Sequence, residues 1–154
     1  MYKATLKMTP FKNIMEDFEM LDDWEDRYRY LIELGQTLEP LSDEQRTQNN
    51  KVRGCVSQVW LDTKIQQADT SDPILVFNGD SDAHIVSGLI AVLFSLFSGK
   101  HAQEILTIDA RAMLKKLALE DHLTPQRSNG LAAMIKRIKQ DASDALTKTQ
   151  VVLS

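Results

Sequence analysis

The chain has 154 residues, 43% of them hydrophobic and 26% charged, a composition typical of a soluble globular domain. Its 18 basic and 22 acidic residues give a net charge of −4, which argues against a polyanion as the main partner because phosphate binding requires a basic face. One cysteine excludes an internal disulfide framework, and the most apolar stretch, residues 88–97, is too short to cross a bilayer. Since residues 1–10 also lack the apolar core of a signal peptide, we expect one cytoplasmic domain over residues 1–154 that binds neither nucleic acid nor membrane.

Two helices are predicted near the N-terminus. The first covers about residues 10–19, with Thr9 as its N-cap and apolar side chains on one face. The second begins at Asp22 or Asp23, because acidic residues suit a helix N-terminus, and ends near Leu38.

An antiparallel pair of strands is predicted next. Residues 57–65 alternate between apolar and polar side chains, which indicates a half-buried strand with Val59, Leu61 and Ile65 on its inner face. Residues 74–79 form the second strand after a connection rich in turn residues. The sequence leaves open whether a third strand lies near Val52 or is missing.

The second half of the chain is predicted to be helical. Residues 82–98 are apolar nearly all round, which is typical of a helix at the centre of a domain. Short helices are expected near 102–107 and 110–118, a long one over 128–147, and a tail over 148–154. Helices followed by a small antiparallel sheet and more helices indicate the α+β class, with a core over about residues 10–147.

The only cysteine, Cys55, lies in the segment VRGCVSQVW (52–60). A free cysteine is often a small buried core residue. Here, however, Gly54 favours a turn, and the neighbouring cations Arg46, Lys51 and Arg53 are expected to lower the pKa of the thiol, since no acid lies nearby. A core thiol and a reactive thiol are therefore about equally supported by the local residues.

The chemistry open to one thiol is limited. His84, His101 and His122 are scattered without ligand spacing, and no CxxC is present, so we expect no metal and no bound cofactor. A single cysteine also argues against an iron–sulfur scaffold, and no hydrolase signature surrounds it. Thiol exchange remains, in which the thiolate attacks a sulfur atom on a partner protein.

Four segments together resemble the SufE/CsdE family of sulfur-acceptor proteins: RYRYLIELGQTLEPL, NNKVRGCVSQVWL, NGDSDAHIVSGLIAVLFSLFSGK and HLTPQRSNGLAAMIKRI. The resemblance implies an α+β fold related to the IscU scaffold, and it implies that Cys55 accepts persulfide sulfur from a PLP-dependent cysteine desulfurase of the SufS or CsdA type. The chain would stimulate that enzyme and pass the sulfur to a SufBCD-type complex for iron–sulfur cluster assembly. It would then be a sulfurtransferase partner more than a stand-alone enzyme; the sequence leaves a homodimer open.

Further residues are assigned by the same resemblance. Arg53, Gly54, Ser57 and Gln58 would support the Cys55 loop, with direct participation in the transfer equally open for Ser57 and Gln58. The apolar side chains of Val56, Val59 and Trp60 would shelter the persulfide. Asp80, Asp82 and Arg127 match family positions with two open interpretations. In the structural one, the aspartates and Ser81 cap the helix over 82–98, and Arg127 precedes the last helix and pairs with an acid. In the functional one, the three charged residues position the Cys55 loop or shape the desulfurase interface.

A second function from another class is also open. The chain would be a non-catalytic adaptor that activates a desulfurase through its surface, with Cys55 incidental to that activity.

Overall fold

A computed structural model describes residues 9–153 of the chain. The elements in chain order are helices α1 (Phe11–Met20) and α2 (Trp24–Gly35), strands β1 (Val59–Gln66) and β2 (Ile74–Ser81), helix α3 (His84–Phe97), strand β3 (Lys100–His101), and helices α4 (Ala102–Thr107), α5 (Ala110–Lys115) and α6 (Pro125–Leu153), with a 3₁₀ turn at Glu120–His122. This arrangement confirms the α+β class. No helix within residues 9–153 is long and apolar enough to span a bilayer.

The two N-terminal helices are close to their predicted positions. Helix α1 begins at Phe11, so its N-cap is Pro10 and not the predicted Thr9, and no side chain caps it. The Asp23 carboxylate accepts a hydrogen bond from the Asp26 amide at 2.8 Å, which confirms the acidic start of α2. Helix α2 ends at Gly35, three residues before the predicted end.

The sheet has three antiparallel strands in the order β1-β2-β3. The β1–β2 register runs from Val59 opposite Ser81 to Gln66 opposite Ile74, which confirms the predicted hairpin. The third strand is β3 and not the segment near Val52, although the Val52 amide donates to the Val59 carbonyl at 2.8 Å. Ile65 is 40% exposed, so the predicted inner face of β1 reaches the core only in its first half.

Helix α3 forms the centre of the core, with 11 of its 14 residues buried, as its uniform hydrophobicity predicted. It packs so closely on α2 that a Cβ atom added to Gly88 would lie 2.1 Å from the Leu31 carbonyl oxygen. Glycine is therefore required at this crossing because the two helix backbones are nearly in contact.

Helix α6 packs on α3 and is longer than predicted. It begins at Pro125, three residues before the predicted start, because proline suits a first helical turn and the Thr124 hydroxyl accepts from the Arg127 amide at 3.2 Å. It continues to Leu153, so residues 148–153 are helical and not the predicted tail, while Ser154 lies outside the described residues. Its buried face consists of apolar side chains, namely Leu131, Met134, Ile138, Ala142 and Ala145.

Replacing Gly88 by alanine tests the α2–α3 contact. Alanine gains about 1 kcal/mol of helix propensity over glycine. Overpacking against a backbone carbonyl outweighs this gain, so we expect a net loss of about 2 kcal/mol in the free energy of unfolding, measured by urea denaturation. Ser95→Ala on the same helix is the control and should change stability by less than about 0.5 kcal/mol. A Gly88→Ala protein as stable as wild type would contradict the packing described here.

Candidate functional site

The Cys55 loop lies between Val52 and the start of β1, and it rests on a face of α6 made of small residues. Gly54 has φ +94°, a conformation that glycine adopts without strain, as the sequence predicted for a turn here. A Cβ atom added to Gly54 would lie 3.2 Å from the Ala133 side chain, and one added to Gly130 would lie 3.5 Å from Cys55 Sγ. Small side chains at positions 130 and 133 therefore allow the loop backbone to approach the helix.

The Cys55 thiol is half-buried and points at helix α6. Its Sγ donates a weak hydrogen bond to the Gly130 carbonyl oxygen at 3.6 Å. Burial raises the pKa of the Cys55 thiol, so the expectation that neighbouring cations lower it is wrong for this conformation. The guanidinium of Arg46 is instead paired with Asp80 at 2.5 Å and lies over the ring of Trp60.

A pocket of about 190 Å³ opens beside Cys55, between the loop and helices α3 and α6. Its apolar wall is formed by Val86, Leu89 and Met134, and its polar rim by Ser57, Thr124, Gln126 and Arg127. The predicted shelter is therefore wrong in part. Val59 is fully buried in the core, and neither it nor Trp60 lines the pocket. Val56 lines the pocket but is 75% exposed.

Asp82 anchors the C-terminal end of the loop. Its carboxylate accepts a hydrogen bond from the backbone amide of Gln58 at 3.0 Å, and the backbone amide of Asp82 donates to the backbone carbonyl of Gln58 at 3.3 Å. The N-cap of α3 is Ala83, without a side-chain cap, so the predicted capping role of the aspartates is wrong. Asp82 therefore holds the segment that carries Cys55, as the functional interpretation of this residue expected.

Asp80 anchors a different segment. Besides its ion pair with Arg46, it accepts a hydrogen bond from the Leu41 amide at 3.4 Å. It is absent from the residues that line the Cys55 pocket. Its contacts therefore fix the connection between α2 and the Cys55 loop and not the thiol itself.

Arg127 lies in the first turn of α6 and not before the helix as predicted. Its guanidinium donates to the Tyr28 hydroxyl at 3.3 Å, and it makes no ion pair with any residue of 9–153, so the predicted acidic partner is wrong. A cationic group without a carboxylate partner therefore stands on the rim of the Cys55 pocket.

Two groups of residues at the site were missed by the sequence analysis. The first is the small face of α6, Gly130 and Ala133, whose i, i+3 spacing indicates that another segment approaches the helix closely but not which segment it is. The second is Arg137, which donates to the Asn49 carbonyl at 2.7 Å and to Asp141 at 3.1 Å, and so holds the N-terminal side of the loop. The i, i+4 spacing of Arg137 and Asp141 was visible in the sequence, but the contact of Arg137 with residue 49 was not.

The histidines lie away from the thiol pocket. His84 is exposed at the start of α3, His101 contacts the Asp72 carbonyl at 2.8 Å, and His122 stacks on Trp24 with ring centroids 3.8 Å apart. Within residues 9–153 no group of three or more histidine, cysteine or acidic side chains is arranged to hold a metal ion.

Comparison with known proteins places these residues in context. The family model described as "SufE: Fe-S metabolism associated domain" matches residues 12–142. An uncharacterized SufE-like protein of Rhizobium meliloti is 52% identical over 139 residues, which cover 90% of this chain and 99% of that protein. A second one, of Rhizobium etli, is 53% identical over 137 residues, covering 89% and 92%. The solution structure of a hypothetical protein from Thermus thermophilus superposes with a TM-score of 0.69 at 21% identity, covering 91% and 99% of the two chains, and it shares the fold.

The pH dependence of alkylation tests the environment of the thiol. Because burial disfavours the thiolate, the rate at which Cys55 reacts with iodoacetamide should rise with pH. The midpoint of that rise should lie at a higher pH than for the same thiol in the urea-unfolded chain. At pH 7 the folded protein should accordingly react severalfold more slowly than the unfolded one. A folded midpoint below the unfolded one would show that the thiol is activated at rest.

Substitution of Asp82 tests the anchoring of the loop. Asp82→Ala removes the acceptor of the Gln58 amide, so the free energy of unfolding should fall by about 1 kcal/mol and Cys55 should be alkylated severalfold faster at pH 7. Asp82→Asn retains an acceptor oxygen and should behave nearly as wild type. If alanine leaves the alkylation rate unchanged, Asp82 does not restrain the loop.

Proposed function

The chain belongs to the SufE family, which is associated with Fe–S metabolism, and on that premise we propose that it is a sulfur acceptor and carrier. Cys55 takes persulfide sulfur from a PLP-dependent cysteine desulfurase of the SufS or CsdA type. The chain binds no cofactor for this step, since the partner carries the PLP. The sulfur then passes on toward iron–sulfur cluster assembly, to a complex of the SufBCD type.

The observation that carries the proposal is the position of the only thiol, on a glycine-containing loop at the mouth of a small pocket. In the transfer, the Cys55 thiolate attacks the outer sulfur of the donor persulfide. A sulfur–sulfur bond forms to Cys55, the donor's sulfur–sulfur bond breaks, and the donor sulfur leaves as a thiolate with the bonding electron pair. The products are a Cys55 persulfide and the free donor cysteine.

The raised pKa of Cys55 gives this transfer a conformational requirement. In the pocket the thiol is held in its neutral form because burial disfavours the charge. Movement of the loop into water removes that desolvation and increases the thiolate fraction, which is the nucleophilic form. The exposed Val56 beside Cys55 marks the outward-facing side of the loop.

The pocket has room for the product. Its volume of about 190 Å³ is several times the roughly 30 Å³ that a water molecule occupies in the liquid, so a second sulfur atom fits beside Cys55. The wall of Val86, Leu89 and Met134 would shield the terminal sulfur from water and from other thiols. Arg127 on the rim would favour the anionic form of the persulfide through its positive charge.

The residues around Cys55 take supporting roles in this proposal. Gly54 provides the backbone conformation of the turn, and Gln58 fixes the end of the loop through Asp82. Ser57 contributes to the pocket rim, and Arg53 lies exposed beside the turn. None of these side chains needs to react with sulfur.

Mass spectrometry of the intact chain tests the proposal. After incubation with the cysteine desulfurase of the same organism and free cysteine, the wild-type chain should gain the mass of one sulfur atom. Cys55→Ser should gain nothing while its circular dichroism spectrum stays unchanged, because serine is nearly isosteric and the loop adds little to stability. An unmodified Cys55 that still reacts with iodoacetamide would rule out the acceptor role.

A relocated thiol provides the matched control. The double variant Cys55→Ser/Val56→Cys keeps one cysteine on the loop but moves it to the exposed neighbouring position. It should lose an acquired sulfur to added dithiothreitol faster than wild type, since the side chain at position 56 is 75% exposed and its persulfide would be less enclosed. A Cys55→Ser chain that stimulates the desulfurase as fully as wild type would instead support the adaptor function.

A further inference from the structure

A second groove lies on the other side of the Cys55 loop and is basic. It has a volume of about 470 Å³ and runs between the loop and the exposed face of α6. Four cations line it, namely Lys51, Arg53, Lys136 and Arg137, and the remaining lining residues are uncharged. No acidic side chain of residues 9–153 lines the groove, although the whole chain has a net charge of −4.

Most of this positive charge is uncompensated within the chain. Arg137 is occupied by Asp141 and by the carbonyls of Asn49 and Lys51. Lys51, Arg53 and Lys136 make no ion pair with any residue of the described part of the chain. Three cations without carboxylate partners thus converge on one concave surface.

The groove and the thiol pocket are both formed by neighbouring residues of the Cys55 loop and of helix α6. Arg53 lines the groove and Cys55, two residues later, lines the pocket. On α6, Ala133 faces the groove while Gly130 and Met134 face the pocket. A protein segment seated in the groove would therefore lie directly beside the segment that carries the reactive sulfur.

We propose that this basic groove binds a carboxylate-rich segment of the desulfurase that donates sulfur to Cys55. Charge complementarity is the basis: aspartate and glutamate side chains are the groups that would pair with three free cations in a protein interface. The identity of the partner rests on the proposed function, whereas the chemistry of the segment rests on the groove itself. Binding there would hold the donor over the loop and make association sensitive to salt.

A nucleic acid fits the groove less well than an acidic protein segment. Three free cations neutralise few phosphates, so counterion release contributes little affinity to such a contact. The net charge of −4 also repels an extended polyanion beyond the groove.

Charge reversal at the groove tests the proposal without altering Arg53, Arg137 or the thiol. The test variant is Lys51→Glu/Lys136→Glu. The control is Lys12→Glu/Arg111→Glu, which makes the same change in net charge at two exposed residues in the first turns of α1 and α5, where an acid suits the helix dipole. Both variants should show wild-type melting temperatures and wild-type rates of Cys55 alkylation by iodoacetamide.

Binding to the immobilised desulfurase of the same organism is then measured by biolayer interferometry at low and high salt. We expect the dissociation constant of the test variant to rise about tenfold at low salt and the difference to shrink at high salt, with the control within about twofold of wild type. Cys55→Ser should bind as wild type, so the binding result stands apart from the persulfide result.

Four outcomes would overturn the proposal, three of them measured with the desulfurase and one with DNA. The proposal is wrong if the test variant binds the desulfurase as wild type does, if the control loses affinity equally, or if no form of the chain binds the desulfurase. If the wild type instead binds a 20-base-pair DNA duplex more tightly than the desulfurase, and the test variant loses that binding, the groove is a nucleic-acid site. Failure of Cys55 to gain sulfur, with groove-dependent binding intact, would contradict the acceptor function alone.

Discussion

The close contact between the Cys55 loop and helix α6 is the constraint on which the site depends. Gly54 adopts a positive φ beside Ala133, and Cys55 directs its sulfur to the carbonyl of Gly130. A larger side chain at position 130 would occupy the space next to Sγ, and a larger one at 133 would displace the turn. The same contact buries the thiol and raises its pKa, so the resting position of Cys55 and the low thiolate fraction there have the same cause.

The Cys55 loop is anchored at both ends and forms few hydrogen bonds between them. Arg137 fixes the backbone at residue 49, and Asp82 fixes the amide of Gln58. Between these anchors, residues 53–57 form one hydrogen bond, the weak one from Cys55 Sγ to the Gly130 carbonyl of α6. Such an arrangement combines a defined resting position with a small cost for outward movement. The proposed role as a sulfur carrier would require both, because the chain would have to enclose its cargo and deliver it. The basic groove lies along the same segment, where a bound partner would act on the loop directly.

The fold was largely predictable because periodicity and hydrophobicity determine it locally. The fully apolar α3 and the alternating β1 were identified from their own residues. The details of the site were not, because they arise from contacts between distant segments. The cations near Cys55 in sequence suggested a lowered pKa, yet Arg46 pairs with Asp80, and burial against α6 dominates. Asp82 resembled a helix cap and instead holds Gln58, 24 residues earlier in the chain.

An engineered disulfide tests the resting position of Cys55 most directly. A Cβ atom at position 130 would lie 3.9 Å from the Cβ of Cys55, close to the roughly 3.8 Å typical of disulfides. The Gly130→Cys protein should therefore form the 55–130 disulfide completely under mild oxidation, with an unchanged circular dichroism spectrum and a higher melting temperature. Two thiols that both remain free and alkylatable under those conditions would contradict the position of the Cys55 loop on helix α6.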